Sequence, residues 1–491
     1  MGEAPAIVAP GATTMTILAG SETANAPGET PVDGVADFLL HLYDGLPAWA
    51  IPIYWVALVL VLCSFLSLAV LLVHATRQRR LARRYREVTR EQSGEEQYLW
   101  AFVVPALNEE VTIADAVQRL LEVQVTNKVI LVVDDGSDDR TGEILAGIDA
   151  PEVTVLTRAA PHARQGKSEA LDDAWRYLHR VVLGSGAYRG WDPSRVIVTI
   201  VDADGRLDPE AWRVGRHFAD DRVGGVQAQV RIYNRRSPLT IAQDLEFAVF
   251  GSVYQLGRMG WGTANMGGNG QFNRLSALDS VAVADAYGRV GPWRAARLTE
   301  DQDIGLRMIR QGWRSAQAID VSIDQQGLNA LRPLYRQRTR WAQGAWQVLD
   351  LLRSSITNRR LGLVARCDQL WYLLTPFVQA WVGATVVLSV VFLTTGIARP
   401  RWTVLMLVLF YAFSAAPGIV GVLFARRGGV RAFVVNVLLA HLYLCYTWLI
   451  YPVVYRAMFR QLAGRGSWAK TKREAIEDPA DGPPTRLGAA E

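Results

Sequence analysis

Hydrophobic and polar positions divide the chain into blocks of different period. Residues 1–34 are rich in Ala, Gly, Pro, Thr and Glu without apolar period, which predicts a disordered tail. Residues 35–76 hold a short surface helix around Phe38, Leu39, Leu40, Leu42 and Tyr43, then an unbroken apolar run from Ile51 to Val73. That run is long enough to cross a hydrocarbon core of about 30 Å. It starts too far along and lacks the basic opening of a signal peptide, so an uncleaved anchor is expected. Residues 77–97 are a basic juxtamembrane segment. From 98 to 329 short apolar runs alternate with amphipathic ones: AFVVPALNEE as strand and loop, VTIADAVQRLLEV as helix, KVILVVDD as a buried strand, Gly166–His179 as helix and RVIVTIVDAD as a further strand. This rhythm predicts an α/β domain with a mostly parallel, doubly wound sheet, whose ligands bind at the carboxyl ends of the strands. Residues 330–365 mix Arg, Trp and Leu as an interfacial amphipathic segment. Residues 366–458 contain three more spanning runs, Leu370–Ile397, Trp402–Ala425 and Ala432–Val454, and 459–491 form a basic, then disordered tail.

Composition narrows the class. Of 491 residues 50% are apolar and 20% charged, and the apolar ones concentrate near the two ends, which excludes both a fully soluble enzyme and an all-membrane carrier. Cys63, Cys367 and Cys445 make no disulfide framework and show no zinc-ligand spacing. The net charge of +5 gathers in part in Arg77, Arg79, Arg80, Arg83, Arg84, Arg86 and Arg90, directly after the first span. There anionic lipid headgroups are the expected partner, and no nucleic acid is. The same arginines place residue 77 onward in the cytoplasm. One conflict follows: three later spans put the C-terminus outside, yet Arg460, Arg465, Lys470, Lys472 and Arg473 follow the last of them. Either the tail breaks the charge rule or one run is re-entrant, with Ala415-Ala416-Pro417-Gly418 as the expected break. Asn436, His441 and Tyr443 in the last run line a path or serve as packing contacts.

Four polar clusters carry candidate chemistry. Asp134 and Asp135, before Gly136, end one strand where a carboxylate can accept hydrogen bonds from a base or ribose. Asp202 and Asp204 end another; alternation along a strand turns both to one face, where a cation must neutralise them, and hard oxygen ligands suit Mg²⁺ or Mn²⁺ together with substrate phosphates. Thr299-Glu300-Asp301 precedes an amphipathic helix and offers a general base for a sugar hydroxyl. Gln337-Arg338-Thr339-Arg340-Trp341 puts an amide, two guanidinium groups and an indole platform on one helical stretch, suited to phosphate oxygens and a sugar ring.

In this order and on this framework, the DDG, DxD, TED and QxxRW set resembles family 2 glycosyltransferases over about residues 98–345, and most closely the membrane-embedded hyaluronan, cellulose, chitin and poly-N-acetylglucosamine synthases. The resemblance implies a GT-A fold and inverting transfer from a nucleotide sugar, with UDP as the expected nucleotide. It assigns Asp134 or Asp135 to the nucleoside and Lys167, Asp202 and Arg340 to the donor diphosphate. It gives Asp204, with Asp202, to the metal and makes Asp301 the base. Gln337, Trp341 and Glu300 go to the acceptor. Where the synthases' acceptor motif is expected, the chain reads Met266-Gly267-Gly268-Asn269-Gly270-Gln271, whose Gly268, Asn269 and Gln271 suit close approach to, and hydrogen bonding with, sugar hydroxyls. The leading expectation is a polysaccharide synthase that works with a small membrane partner or as a homo-oligomer. The alternative is a non-processive enzyme that glycosylates a lipid acceptor.

Overall fold

The buried run predicted from residue 98 becomes the centre of the molecule. In a computed structural model that describes residues 42–83, 87–285, 287–397 and 404–466, strand β1 spans Leu99–Ala106 and almost every side chain on it is buried. Alternation sends Trp100, Phe102, Val104 and Ala106 into one apolar layer, with Ile113, Val117 and Leu120, and Leu99, Ala101 and Val103 into a second, with Ala170, Leu171 and Ala174. A strand buried on both faces is what a parallel sheet between helical layers requires.

The remaining strands are β2 (Asn127–Asp134), β3 (Val153–Thr157), β4 (Val196–Ile200), β5 (Arg206–Leu207), β6 (Val223–Ile232), β7 (Gln271–Arg274), β8 (Val283–Ala284), β9 (Val290–Gly291) and β10 (Arg314–Gln325). Eight of them form one sheet in the order β3-β2-β1-β4-β7-β6-β10-β5, while β8 and β9 pair separately. β1, β2, β3, β4, β6 and β10 run one way; β7 lies antiparallel between β4 and β6, and β5 is antiparallel at the edge. The antiparallel β7 was not foreseen: its four residues are QFNR, too short and polar to carry a strand period.

The helices that matter below are α1 (Ile51–Arg83), α2 (Ile113–Leu121), α3 (Lys167–Tyr177), α4 (Pro238–Val249), α5 (Glu300–Gln311), α6 (Leu331–Gln347), α7 (Leu363–Thr395), α8 (Val404–Ala425), α9 (Val430–Thr447) and α10 (Ile450–Leu462). Four stretches are long and apolar enough to cross a membrane: Ile51–Arg83, Leu363–Thr395, Val408–Ala425 and Val430–Leu462. The tail at 1–34 lies outside the described residues, as do 35–41 of the expected surface helix, whose residues 42–50 form turns. Lys470, Lys472 and Arg473 also lie outside them.

One expectation about the spans needs correction, and one alternative is decided. The break at Ala415–Gly418 is absent: α8 continues through Pro417, with Ala415 buried and Gly418 against the Tyr443 ring, and neighbouring helices make such a proline tolerable. The interruption falls instead between α9 and α10, at Trp448 and Leu449, where Pro452 lacks the N–H a continuous helix would use. Asn436 and His441 are packing groups: Asn436 Nδ2 donates to the Arg426 carbonyl (2.7 Å), and His441 Nε2 bonds the Tyr411 hydroxyl (2.6 Å).

The sheet domain and the membrane helices are joined by a buried seam. Leu68 of α1, Leu245 and Val249 of α4, Val253, Val422 of α8 and Ala440 of α9 form one apolar cluster. Beside it, Arg258 Nε donates to Asp368 Oδ2 at the start of α7 (2.9 Å), with both side chains about 5% exposed (6% and 5%).

Candidate active site

The carboxyl ends of β1, β2 and β4 open onto a cavity of about 760 Å³ that continues between α5, α6 and the membrane helices α7 and α10. Of the residues singled out in the sequence, Asp135, Lys167, Asp202, Asp204, Gly268, Asn269, Glu300, Asp301, Gln337, Arg340 and Trp341 line it. Asp134 and Gln271 do not. Asp134 Oδ1 accepts from the Ser137 N–H (2.9 Å) and so caps the turn, leaving Asp135 as the carboxylate at the cavity. Gln271 sits within the sheet, its Nε2 donating to Asn273 Oδ1 (2.8 Å).

At the end of the cavity beyond β2, Asp135 is gripped by the buried Arg158 guanidinium and by the Arg164 N–H (2.9 Å). Burial pushes the Asp135 carboxyl up, against the pull of those two donors.

The two carboxylates of the DxD sequence share the cavity, but strand alternation is not the reason. β4 ends at Ile200, and the chain turns at Asp202–Gly205 through a Gly205 N–H to Asp202 carbonyl bond (2.7 Å). Asn269 holds this turn: its Oδ1 accepts from the Asp202 N–H (3.0 Å) and its Nδ2 donates to Gln325 (3.1 Å), so the amide is engaged with the protein on both sides. Asp204 Oδ2 accepts from the Gln326 N–H (3.1 Å). Lys167, first residue of α3, supplies the neutralising cation, with Nζ 2.7 Å from Asp202 and 3.1 Å from Glu300. Burial alone would lower the lysine; the carboxylates of Asp202, Glu300 and Asp301 outweigh it and raise it above its usual range. Glu300 thus faces Lys167 within the cavity.

Asp301 occupies the first turn of α5, after Thr299 at the helix N-terminus. Burial, and next the Glu300 charge, push its carboxyl up to about 7, with Lys167 opposing. The position is fixed from three sides. Asp303, buried two residues on, receives Arg294 Nε on both oxygens (3.0 Å each). Gln302 Nε2 donates to the Tyr372 hydroxyl of α7 (2.8 Å). The preceding loop is tied to the end of α6, where the Leu298 N–H donates to Gln347 Oε1 (3.0 Å). Gly344 of α6 makes that approach possible, because a Cβ there would lie 2.3 Å from Thr299 Oγ1. Gly268, at φ +76, performs a similar service at the acid itself: a Cβ would come within 3.2 Å of Asp301 Oδ2.

Residues 98–344 match the family model described as Glycosyltransferase like family 2. The chain belongs to this family. The glycosyltransferase is 28% identical over 282 residues to the beta-monoglucosyldiacylglycerol synthase of Synechocystis sp. (strain ATCC 27184 / PCC 6803 / Kazusa), covering 56% of this chain and 53% of that protein. It is 25% identical over 263 residues to the poly-beta-1,6-N-acetyl-D-glucosamine synthase of Staphylococcus aureus (strain COL), covering 52% and 58%. The match therefore spans about half the length of these curated relatives. Among solved structures, a mannosyltransferase from Pyrobaculum calidifontis in complex with GDP-Man and Mn²⁺ superposes with a TM-score of 0.50 at 17% identity, over 84% of this chain and 99% of that one. The sheet domain of the glycosyltransferase is GT-A in type, as the motifs implied.

The membrane wall of the cavity went unnoticed in the sequence. Tyr372, Thr375, Pro376 and Gln379 of α7 face it, together with Ile450 and Val454 of α10. The spacing of Tyr372, Thr375 and Gln379 marks one helical face, and that polar spacing near the start of the run was the available signal.

Proposed function

We propose that this glycosyltransferase moves a sugar from a nucleotide-sugar donor, with UDP as the expected nucleotide, to a hydroxyl on the headgroup of a membrane lipid, with inversion at the anomeric carbon. One observation carries the proposal: a single cavity runs from Asp135, Lys167, Asp202 and Asp204, past Asp301, to side chains of α7 and α10, which belong to stretches long and apolar enough to cross a membrane. A headgroup that enters from the bilayer side meets Thr375 and Gln379, both neutral hydrogen-bonding groups, before it reaches the acid. Just beyond, α7 and α10 close on each other, where a Cβ on Gly383 would lie 2.7 Å from the Tyr451 ring. That closure suits a short-reach acceptor better than a threaded chain. The name of the cyanobacterial relative points the same way.

In this mechanism Asp135 and Arg164 meet the nucleoside, while Lys167 and Arg340 meet the diphosphate. Asp202 and Asp204 are two hard oxygen donors at one turn, a set that fits Mg²⁺ or Mn²⁺ completed by phosphate oxygens, as the Mn²⁺ in the structural neighbour supports. That ion would supply charge neutralisation on the departing diphosphate. Asp301 accepts the hydroxyl proton as the hydroxyl oxygen bonds to the anomeric carbon and the carbon–oxygen bond to the diphosphate breaks. Trp341 lies at the acceptor end as a platform for the sugar or headgroup. Orientation follows from the arginines: Arg79 donates to the Phe424 carbonyl, and Arg79 and Arg427 both stand over the Phe424 ring (4.3 and 5.3 Å). The basic ends of α1 and α8 therefore lie together, and the positive-inside rule puts them, with the catalytic domain, in the cytoplasm.

The test is nucleoside diphosphate release by the purified protein in lipid, across UDP- and GDP-sugars with Mg²⁺ or Mn²⁺, with the product sized. Release that requires added diacylglycerol and yields one or two sugars per lipid is expected. A long glycosidase-sensitive product made without it would install the second reading, a polysaccharide synthase, which the indole platform of Trp341 and the staphylococcal relative favour.

A further inference from the structure

Beside Trp341, with Arg338 and Glu246 lining the same cavity, stands a closed polar triangle to which the four motifs contribute only Arg338. Arg338 Nη2 donates to Glu246 Oε2 of α4 (2.6 Å), Arg338 Nε donates to the Tyr446 hydroxyl of α9 (3.1 Å), and that hydroxyl donates to the same Glu246 oxygen (2.8 Å). The guanidinium that closes the triangle lies 4.0 Å from the centre of the Trp341 ring, and Phe247, next to Glu246, meets the same indole edge-on at 6.2 Å. Arg338 is buried, with 8% of its side chain exposed, so its stacking acts in a desolvated setting where a cation over an indole is worth most. The three partners come from the catalytic domain, the helix that carries Gln337, Arg340 and Trp341, and a membrane helix.

We infer that Glu246, Arg338 and Tyr446 are positioning residues that set the tilt of the Trp341 indole, so that a membrane helix helps to define acceptor binding. The inference rests on the assignment of Trp341 to the acceptor. Arg338 presents its flat guanidinium to one face of the ring, Glu246 and Tyr446 prevent the guanidinium from rotating away, and the indole's remaining surface is left to the cavity that it lines.

Arg338→Lys keeps a cation for Glu246 but removes the planar face, and it separates a positioning role from a merely structural ion pair. With dioleoylglycerol in phosphatidylcholine vesicles, we expect this variant to raise the acceptor KM about tenfold. Donor KM and the slow release of nucleoside diphosphate to water should stay within about twofold of wild type. Tyr446→Phe, which deletes one hydroxyl, should raise acceptor KM about threefold. If Arg338→Lys fails to fold, judged by its thermal midpoint, Tyr446→Phe alone decides. An unchanged acceptor KM, or donor and acceptor parameters that fall together, would overturn the inference. Should wild-type enzyme ignore dioleoylglycerol, the lipid proposal fails instead, and the same comparison of acceptor KM with donor KM is then read with chito-oligosaccharide as acceptor.

Discussion

The two ends of the cavity are built from different materials. The end we assign to the donor is made of turns after strands and the first residues of two helices, and nearly every polar group there is charged and already matched: Asp135 with Arg158, Asp202 and Glu300 with Lys167. The end we assign to the acceptor is made of helices, and apart from the Arg338–Glu246 pair beside Trp341 the groups it offers are aromatic, amide or hydroxyl: Trp341, Tyr372, Thr375, Gln379. A nucleoside diphosphate brings concentrated negative charge and must displace or share pre-neutralised partners. A headgroup hydroxyl brings none and is recognised by shape and neutral hydrogen bonds. Asp301 sits where the two meet, half-buried beside the helical wall and flanked by the charges of Glu300 and Lys167.

The sharpest way to break this division is at that junction. Asp301→Asn should lower transfer roughly 10²- to 10⁴-fold while donor affinity, read by calorimetry with the nucleotide sugar, stays near wild type. Turnover that survives in this variant would remove the acid from the mechanism. Next in size, Asp204→Ala should weaken Mn²⁺-dependent donor binding at least about tenfold and leave the acceptor KM alone, as a metal titration of nucleotide-sugar binding would record. An equal loss on both sides would mean that the ends are not independent. The smallest effect is in pH. A carboxyl raised to about 7 is unprotonated, and so able to accept the hydroxyl proton, only as pH rises past that value. Transfer should therefore increase about fivefold from pH 6 to pH 7. Donor binding should show no inflection there, because Lys167 is held in its charged form well above that range.

The acidic end of the cavity was legible in the sequence because its signals are local. A buried strand followed by an acidic pair or triplet, then a glycine, can be read within about ten residues, and Asp135, Asp202 and Asp204 lie together as that reading required. Its fine detail was less legible: β4 stops at Ile200, so a turn braced by Asn269, far away in sequence, gathers the two carboxylates. Asn269 and Gln271 were read as sugar ligands from their chemistry alone. Only the sheet register, with β7 inserted between β4 and β6, shows that one braces a turn and the other lies inside the sheet. The acceptor end depends on contacts between residues more than 90 apart, such as Arg338 with Glu246 and Tyr446, and no local period encodes them.

The pair of Arg258 and Asp368 has a consequence for anyone who wishes to handle the catalytic unit by itself. A fragment that ends before α7 would keep the guanidinium and lose the only carboxylate bonded to its Nε among the described residues, in a place built to exclude water. Stranding such a charge costs on the order of several kcal/mol, and the apolar seam of Leu245, Val249 and Val253 would be laid bare at the same stroke. The boundary at which sequence similarity stops, near residue 344, is therefore no place to cut: a soluble truncation should aggregate, and the smallest tractable enzyme includes its membrane helices.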